Sequence, residues 1–229
     1  RDAAQLAEAT DETENAKTWR QKADHVKNGL NTHLYVPDRG RYVTTLFNGD
    51  AITPSLHAQA WPLAYGVVPD EHVDDVASAL TELLPRDIQS SPSEIGIYSM
   101  FWVLEALGKA GRISEALDIT ETYYGHLLEM GATTWWEGFD SHLSYRASLS
   151  HSWGGAPTWF LTTYVLGARR VGPKDWTISP PVNGIHSISG TLPLDDDELQ
   201  VRWERRSCEA TNLEVTVPLD TSGDLIIPL

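Results

Sequence analysis

The chain has 229 residues, with 17 Lys and Arg against 32 Asp and Glu, and its formal net charge is −15. Nucleic acids and anionic membrane surfaces are bound through clustered Lys and Arg, so this charge, with no basic run in the chain, excludes both classes of partner. A hydrophobic fraction of 41% and a charged fraction of 21% are typical of a globular chain with a sizeable core.

The sequence also lacks the signals of several other classes of protein. The longest apolar stretches, such as 95–104, fall well short of the roughly 20 residues that a bilayer span needs, so we expect no transmembrane helix. Cys208 is the only cysteine, which excludes an internal disulfide and a Cys-based metal site. The eight His are dispersed, and no zinc, calcium, dinucleotide or nucleotide-phosphate motif occurs, so we expect neither a metal nor a cofactor.

The first half of the chain has the periodicity of helices. Apolar residues at three- and four-residue spacing predict an amphipathic helix over 11–34. Turn residues follow, and Asn48-Gly49-Asp50 predicts a short hairpin or loop. Two further helices are predicted over 55–66 and 71–84, and Gly or Pro ends each of them.

The next predicted helices form a hairpin. One begins at Pro92-Ser93-Glu94 and extends to about residue 108, and its partner covers 114–130. After a connection rich in Trp and Gly, a last helix begins near Pro157 and ends at Gly167, because Pro suits the first turn of a helix.

Beyond residue 172 the period changes from that of helices to that of strands. Apolar and polar residues alternate over 199–204 and again over 213–217. We therefore place a boundary near residue 172. We expect a mainly helical domain over 1–172 and a small antiparallel β-sandwich module over 173–229.

Six predicted helices in successive hairpins are typical of part of an α/α toroid. A full ring needs more helices than this chain supplies, and the inner helices would otherwise expose apolar faces that soluble monomers rarely show. We therefore expect the chain to be the C-terminal half of a toroid. Its missing N-terminal sequence would then be a partner of these residues.

The most informative segment is the connection from Gly131 to Pro157. Glu137 is flanked there by aromatic residues, a partly desolvated setting that can tune a carboxyl group for catalysis, although it could also be an ordinary loop carboxylate bonded to a backbone amide. His151 could contact a ligand hydroxyl or serve a structural role. The nine Trp of the chain favour a carbohydrate ligand, because indole stacks on the C–H faces of sugars, although Trp packs equally well in a core.

Two motifs carry a resemblance to a known family. GATTWWE (131–137), followed by SLSHSWGGAPTWFLTTYVLGARRVGP (148–173), resembles the signature of the inverting α-L-rhamnosidases, glycoside hydrolases built on a six-hairpin α/α toroid. The earlier SLHAQAWPLAYGVVPDE and IGIYSMFWVLEALGKAGRISEAL, and the later LQVRWERR, are similar to successive segments of that toroid and of its C-terminal β-sandwich. The resemblance thus covers essentially the whole chain.

The resemblance implies a function and roles for particular residues. The expected activity is removal of terminal α-L-rhamnose with inversion, with Glu137 as the general base on the attacking water. His151 would contact the sugar, and Trp135, Trp136 and Trp153 would complete its binding site.

An inverting enzyme also needs a general acid roughly 6.5 to 9.5 Å from the base. The family's acidic motif for that group does not occur in these residues, so we expect the acid upstream of the chain and the 229 residues alone to be inactive. If they were active, Asp140 or Glu94 would be the first acid to test.

Two other functions are compatible with the residues. A six-hairpin glycosidase or lyase could act on another glycan, because the fold alone does not define the sugar. A non-catalytic carbohydrate-binding protein could keep the Trp-lined cleft without the acid.

Overall fold

In the computed structural model the described residues are 1–47, 50–51, 53–85, 87–89, 95–143, 145–181, 185–207 and 210–227. They form two compact units, residues 1–84 and residues 85–229. Among the described residues, no helix combines the length and the apolar composition needed to span a bilayer.

The described residues of the first unit form four α-helices and two short antiparallel hairpins. The helices are α1 (Asp2–Ala9), α2 (Thr13–His33), α3 (Leu56–Ala64) and α4 (Val73–Glu82), and the hairpin strands are β1 (Tyr35–Val36), β2 (Arg41–Tyr42), β3 (Leu46–Phe47) and β4 (Asp50–Ala51).

Polar contacts fix α3 in the first unit. The Ser55 hydroxyl accepts the Ala58 N–H at 3.2 Å, which is an N-cap interaction at the start of α3. The fully buried Gln59 amide binds both backbone groups of Tyr42. It accepts the Tyr42 N–H at 2.9 Å and donates to the Tyr42 carbonyl at 2.8 Å, so α3 is fastened to the first hairpin.

Three of the sequence predictions can be compared with this unit. The helices predicted over 55–66 and 71–84 are confirmed as α3 and α4. The helix predicted over 11–34 begins at Thr13, and a separate helix, α1, precedes it. Of the predicted turn, Asn48 and Gly49 lie outside the described residues; the strands on either side of them pair antiparallel.

The second unit begins with a helical hairpin. A 3₁₀ turn (Ile97–Ser99) leads into α5 (Met100–Lys109), which packs against α6 (Ile113–Glu129), as the sequence predicts. The start predicted at Pro92-Ser93-Glu94 lies outside the described residues, and Ile95 and Gly96 are not helical.

The last helix packs against α5. This helix, α7 (Ala156–Phe160), continues as a π-helical turn (Leu161–Val165), and Gly167, two residues beyond that turn, has a φ of 78°. Gly108 of α5 permits the approach of Tyr164, because a Cβ at residue 108 would lie 2.6 Å from the Tyr164 ring.

Two three-stranded sheets follow in the same unit. One is antiparallel, in the order β7 (Ser187–Leu194), β8 (Asp197–Ser207), β9 (Ala210–Thr216). The other has the order β10 (Ser222–Leu225), β6 (Asp175–Ile178), β5 (Ala168–Arg170), and its β10 runs parallel to β6.

A common apolar core joins the residues of these strands. Leu199, Val201 and Trp203 are at most 2% exposed, which confirms the period-two pattern of this segment. They pack with Ile178 of β6 and Leu194 of β7. The sequence predicted β8 and β9 but not the remaining strands, and the domain boundary near residue 172 stays a prediction.

Candidate active site

Backbone hydrogen bonds organise the α6–α7 loop (residues 130–155) around Glu137. The Glu137 N–H donates to the Ser148 carbonyl at 2.9 Å, and the His151 N–H donates to the Trp135 carbonyl at 2.6 Å. The Trp153 indole N–H donates to the Glu137 carbonyl at 3.1 Å. Both peptide groups of Glu137 are therefore held by residues from the far side of the loop.

The Glu137 carboxylate is fixed through one of its two oxygens. Oε2 accepts the Ser148 N–H at 2.8 Å, a charge-assisted bond that orients the side chain. Among the described residues no group hydrogen-bonds to Oε1, and the side chain is partly exposed. A carboxylate with one oxygen fixed and the other without a protein partner can hold and deprotonate a water molecule.

Three aromatic rings contact one another in succession, and the middle one, Trp153, is the residue whose indole bonds to the Glu137 backbone. The His151 and Trp153 ring centroids are 4.1 Å apart, and the Trp153 and Tyr98 centroids are 5.4 Å apart. Trp153 is 42% exposed, so one part of its ring is available to a ligand. The structure thus brings together Glu137, His151 and Trp153 of the predicted site.

The other two predicted binding residues, Trp135 and Trp136, contact different rings. Trp135 is 38% exposed and meets the Tyr124 ring edge-on, with centroids 5.9 Å apart. Trp136 is only 4% exposed and packs against the His142 ring at 5.5 Å. Trp136 therefore offers little surface to a sugar, and it packs inside the loop against His142.

A pocket of about 350 Å³ lies next to Trp135, at the C-terminal end of α6. Its walls are mainly apolar, and Glu137 is not part of them; the lining residues are Tyr124, Leu127, Leu128, Ala132, Thr133, Thr134 and Trp135. Burial raises the pKa of the Tyr124 phenol above its ordinary value, which keeps the phenol neutral.

The structure offers little support for either candidate general acid, Asp140 or Glu94. Asp140 is partly buried, and its Oδ1 lies over Gly138, where a Cβ would be 3.0 Å away. Glu94 lies outside the described residues. Over the part of the chain that the structure describes, no group of three or more His, Cys, Asp or Glu could hold a metal ion.

Two residues of this arrangement could not be predicted from the sequence. Ser148 binds Glu137 through backbone atoms, and no side-chain pattern reports such a bond. Tyr98 belongs to a different segment, and only its ring contact with Trp153 connects it with the loop.

Comparisons with known proteins agree on one family. The model of the bacterial alpha-L-rhamnosidase six-hairpin glycosidase domain matches residues 1–165. The crystal structure of a GH78 family rhamnosidase of Bacillus sp. GL1 is similar over 100% of this chain, with a TM-score of 0.77 and 27% sequence identity. The chain spans 25% of the length of that protein. A comparison with curated proteins finds no match.

Proposed function

Since the chain belongs to the family of bacterial α-L-rhamnosidase six-hairpin glycosidase domains, we propose that its protein removes terminal α-L-rhamnose from rhamnosides with inversion, and that Glu137 is the general base. The resemblance in the sequence to this family is confirmed. One observation supports the role of Glu137 above all. Its backbone and Oε2 are held by Ser148 and Trp153, while no described residue hydrogen-bonds to Oε1.

The proposed reaction is a single displacement. Glu137 takes a proton from a water molecule, whose oxygen forms a bond to the anomeric carbon on the face opposite the leaving group. The glycosidic C–O bond breaks, and a general acid protonates the departing oxygen. We place that acid outside these 229 residues, which agrees with the much greater length of the similar rhamnosidase.

The sugar site would be built by the rings next to Glu137. His151 and Trp153 offer two rings in mutual contact, and the half-exposed Trp135 offers a second aromatic surface. Trp136 would act indirectly, because its buried ring supports the backbone that carries Glu137.

For the architecture, we propose that residues 1–172 are the C-terminal half of an α/α toroid and that residues 173–229 form a β-sandwich. The six-hairpin family match and the α5–α6 hairpin support the first part, and the common core of the two sheets supports the second. The partner of the helical part would be the N-terminal portion of the same polypeptide.

The experiment measures L-rhamnose release from 4-nitrophenyl α-L-rhamnoside by the product of the complete reading frame. Glu137→Gln should lower kcat by about 100-fold or more, because general-base catalysis contributes on this scale. Glu121→Gln is a matched control, since Glu121 is exposed on α6. Near-normal turnover of Glu137→Gln would exclude the assigned role, and cleavage of other glycosides alone would exclude rhamnose as the substrate.

A further inference from the structure

The backbone of Ser148 is bonded twice to Glu137. The Ser148 carbonyl accepts the Glu137 N–H at 2.9 Å, and the Ser148 N–H donates to Oε2 of the Glu137 side chain at 2.8 Å. These two bonds close a ring that contains both the main chain and the side chain of Glu137. The direction of the carboxylate therefore depends on the conformation of one residue on the far side of the α6–α7 loop.

The Ser148 side chain fixes that conformation. Its Oγ donates to the Ser150 carbonyl at 3.0 Å and accepts the Ser150 N–H at 3.1 Å. Bonds from a serine hydroxyl to the backbone two residues further along stabilise a local turn. The hydroxyl that closes this turn thus belongs to the residue whose backbone holds Glu137.

Other hydrogen bonds hold this side of the loop in place. The His151 N–H donates to the Trp135 carbonyl at 2.6 Å, and the Thr134 hydroxyl donates to the Leu149 carbonyl. Neither bond involves an atom of Ser148, so the course of the loop should survive the loss of the Ser148 hydroxyl. That loss would change the local turn, and with it the direction of the N–H that reaches the carboxylate.

The direction of a general base matters for its rate, because a displacement of about 1 Å between reacting groups can cost about 100-fold. We propose that Ser148 is a positioning residue for Glu137. Its hydroxyl holds the turn from which the Ser148 N–H fixes Oε2, and so determines where Oε1 holds the attacking water. The proposal rests on the proposed function, and in it Ser148 acts only through Glu137.

The test measures kcat and KM of the complete protein on 4-nitrophenyl α-L-rhamnoside. Ser148→Ala removes the hydroxyl and keeps the backbone N–H and carbonyl. It should lower kcat about tenfold and leave KM within about twofold, because the position of the base affects the transition state and not the binding of the substrate. Ser148→Thr keeps a hydroxyl at this position and should recover most of kcat.

Ser152→Ala is the matched control, because it removes a hydroxyl from an exposed serine of the same loop. It should leave both kcat and KM unchanged. A kcat of Ser148→Ala within about twofold of the parent value would overturn the proposal.

Azide separates positioning of the base from general support of the loop. In the complete Glu137→Ala protein azide attacks the sugar without a base, so adding Ser148→Ala should leave the azide reaction within about twofold. An equally large loss in the azide reaction would mean that the hydroxyl supports the loop as a whole, and would overturn the proposal.

A crystal structure of the complete Ser148→Ala protein separates this proposal from the proposed function. If the parent protein cleaves no rhamnoside, the proposed function fails, and the Glu137 side chain decides the role of Ser148. Loss of the bond between Oε2 and the N–H of residue 148 supports positioning by the hydroxyl, and an unchanged carboxylate refutes it.

Discussion

Gly154→Ala tests whether close backbone packing holds the α6–α7 loop in place. The added Cβ would lie 2.7 Å from the Trp136 carbonyl oxygen, 3.2 Å from Cβ of Trp135 and 3.3 Å from Cδ1 of Ile97. The first of these contacts is with a backbone atom, which cannot rotate away as a side chain can. The variant must therefore shift either its own turn or the peptide group that precedes Glu137.

The expected cost follows from overpacking. Forcing an extra carbon into a filled site destabilises a protein by about 1–3 kcal/mol. Gly125→Ala, in α6, is the matched control, because its Cβ would meet nothing within 4 Å. Since Ala is favoured over Gly in a helix interior, this control should stabilise the chain by about 0.5–1 kcal/mol. The same chemical change should thus have opposite signs at the two positions.

Urea unfolding of the 229-residue chain, followed by tryptophan fluorescence, measures both effects. The midpoint should fall by about 1 M urea for Gly154→Ala and rise for Gly125→Ala, with an unchanged slope. If Gly154→Ala were as stable as the parent chain, the steric reasoning would be refuted. Under the proposed function, the same variant of the complete protein should also lose activity on rhamnosides, because the displaced peptide adjoins Glu137.

Two further predictions concern buried polar side chains. Burial, with a smaller contribution from the charge of Tyr35, raises the pKa of Tyr42 to about 12, so the folded state keeps a phenolic proton that the unfolded chain loses near pH 10. Tyr42 costs no stability below pH 10, and it should contribute a loss of about 1.4 kcal/mol per pH unit between pH 10 and pH 12. Urea unfolding of the parent chain and of Tyr42→Phe across this range measures this contribution as the difference between their slopes. His126 is 6% exposed, and among the described residues neither ring nitrogen has a hydrogen-bond partner. His126→Leu should raise the unfolding free energy by about 1 kcal/mol, and a lower value in urea unfolding would contradict this.

The helices from α2 onward could be predicted from the sequence because their apolar residues recur with helical spacing, whereas α1 was not predicted. α3, α4 and α6 bury one face, and their ends are marked by Gly, Pro or a capping Ser. The parallel pairing of β10 with β6 could not be predicted, because Ser222–Leu225 has four exposed residues and its partner strand is distant in sequence. Pairing of this kind depends on tertiary contacts rather than on a local pattern.

In the candidate site, too, some residues could be predicted from the sequence and others could not. The family motifs singled out Glu137, His151 and three Trp, because motif residues are visible in a sequence. The burial of Trp136 and the fixing of Glu137 by Ser148 depend on how the two sides of the α6–α7 loop meet. Tyr98 joins them through a glycine contact between two distant turns, for which the sequence has no spacing rule.

The proposed role of Glu137 as the base of an inverting reaction is tested most directly by rescue with azide. In the complete enzyme, Glu137→Ala should be nearly inactive on 4-nitrophenyl α-L-rhamnoside, because no group deprotonates the water. Azide needs no deprotonation, so it should restore turnover and give β-L-rhamnosyl azide, identified by NMR. No rescue, or an azide product that retains the α configuration, would contradict the account.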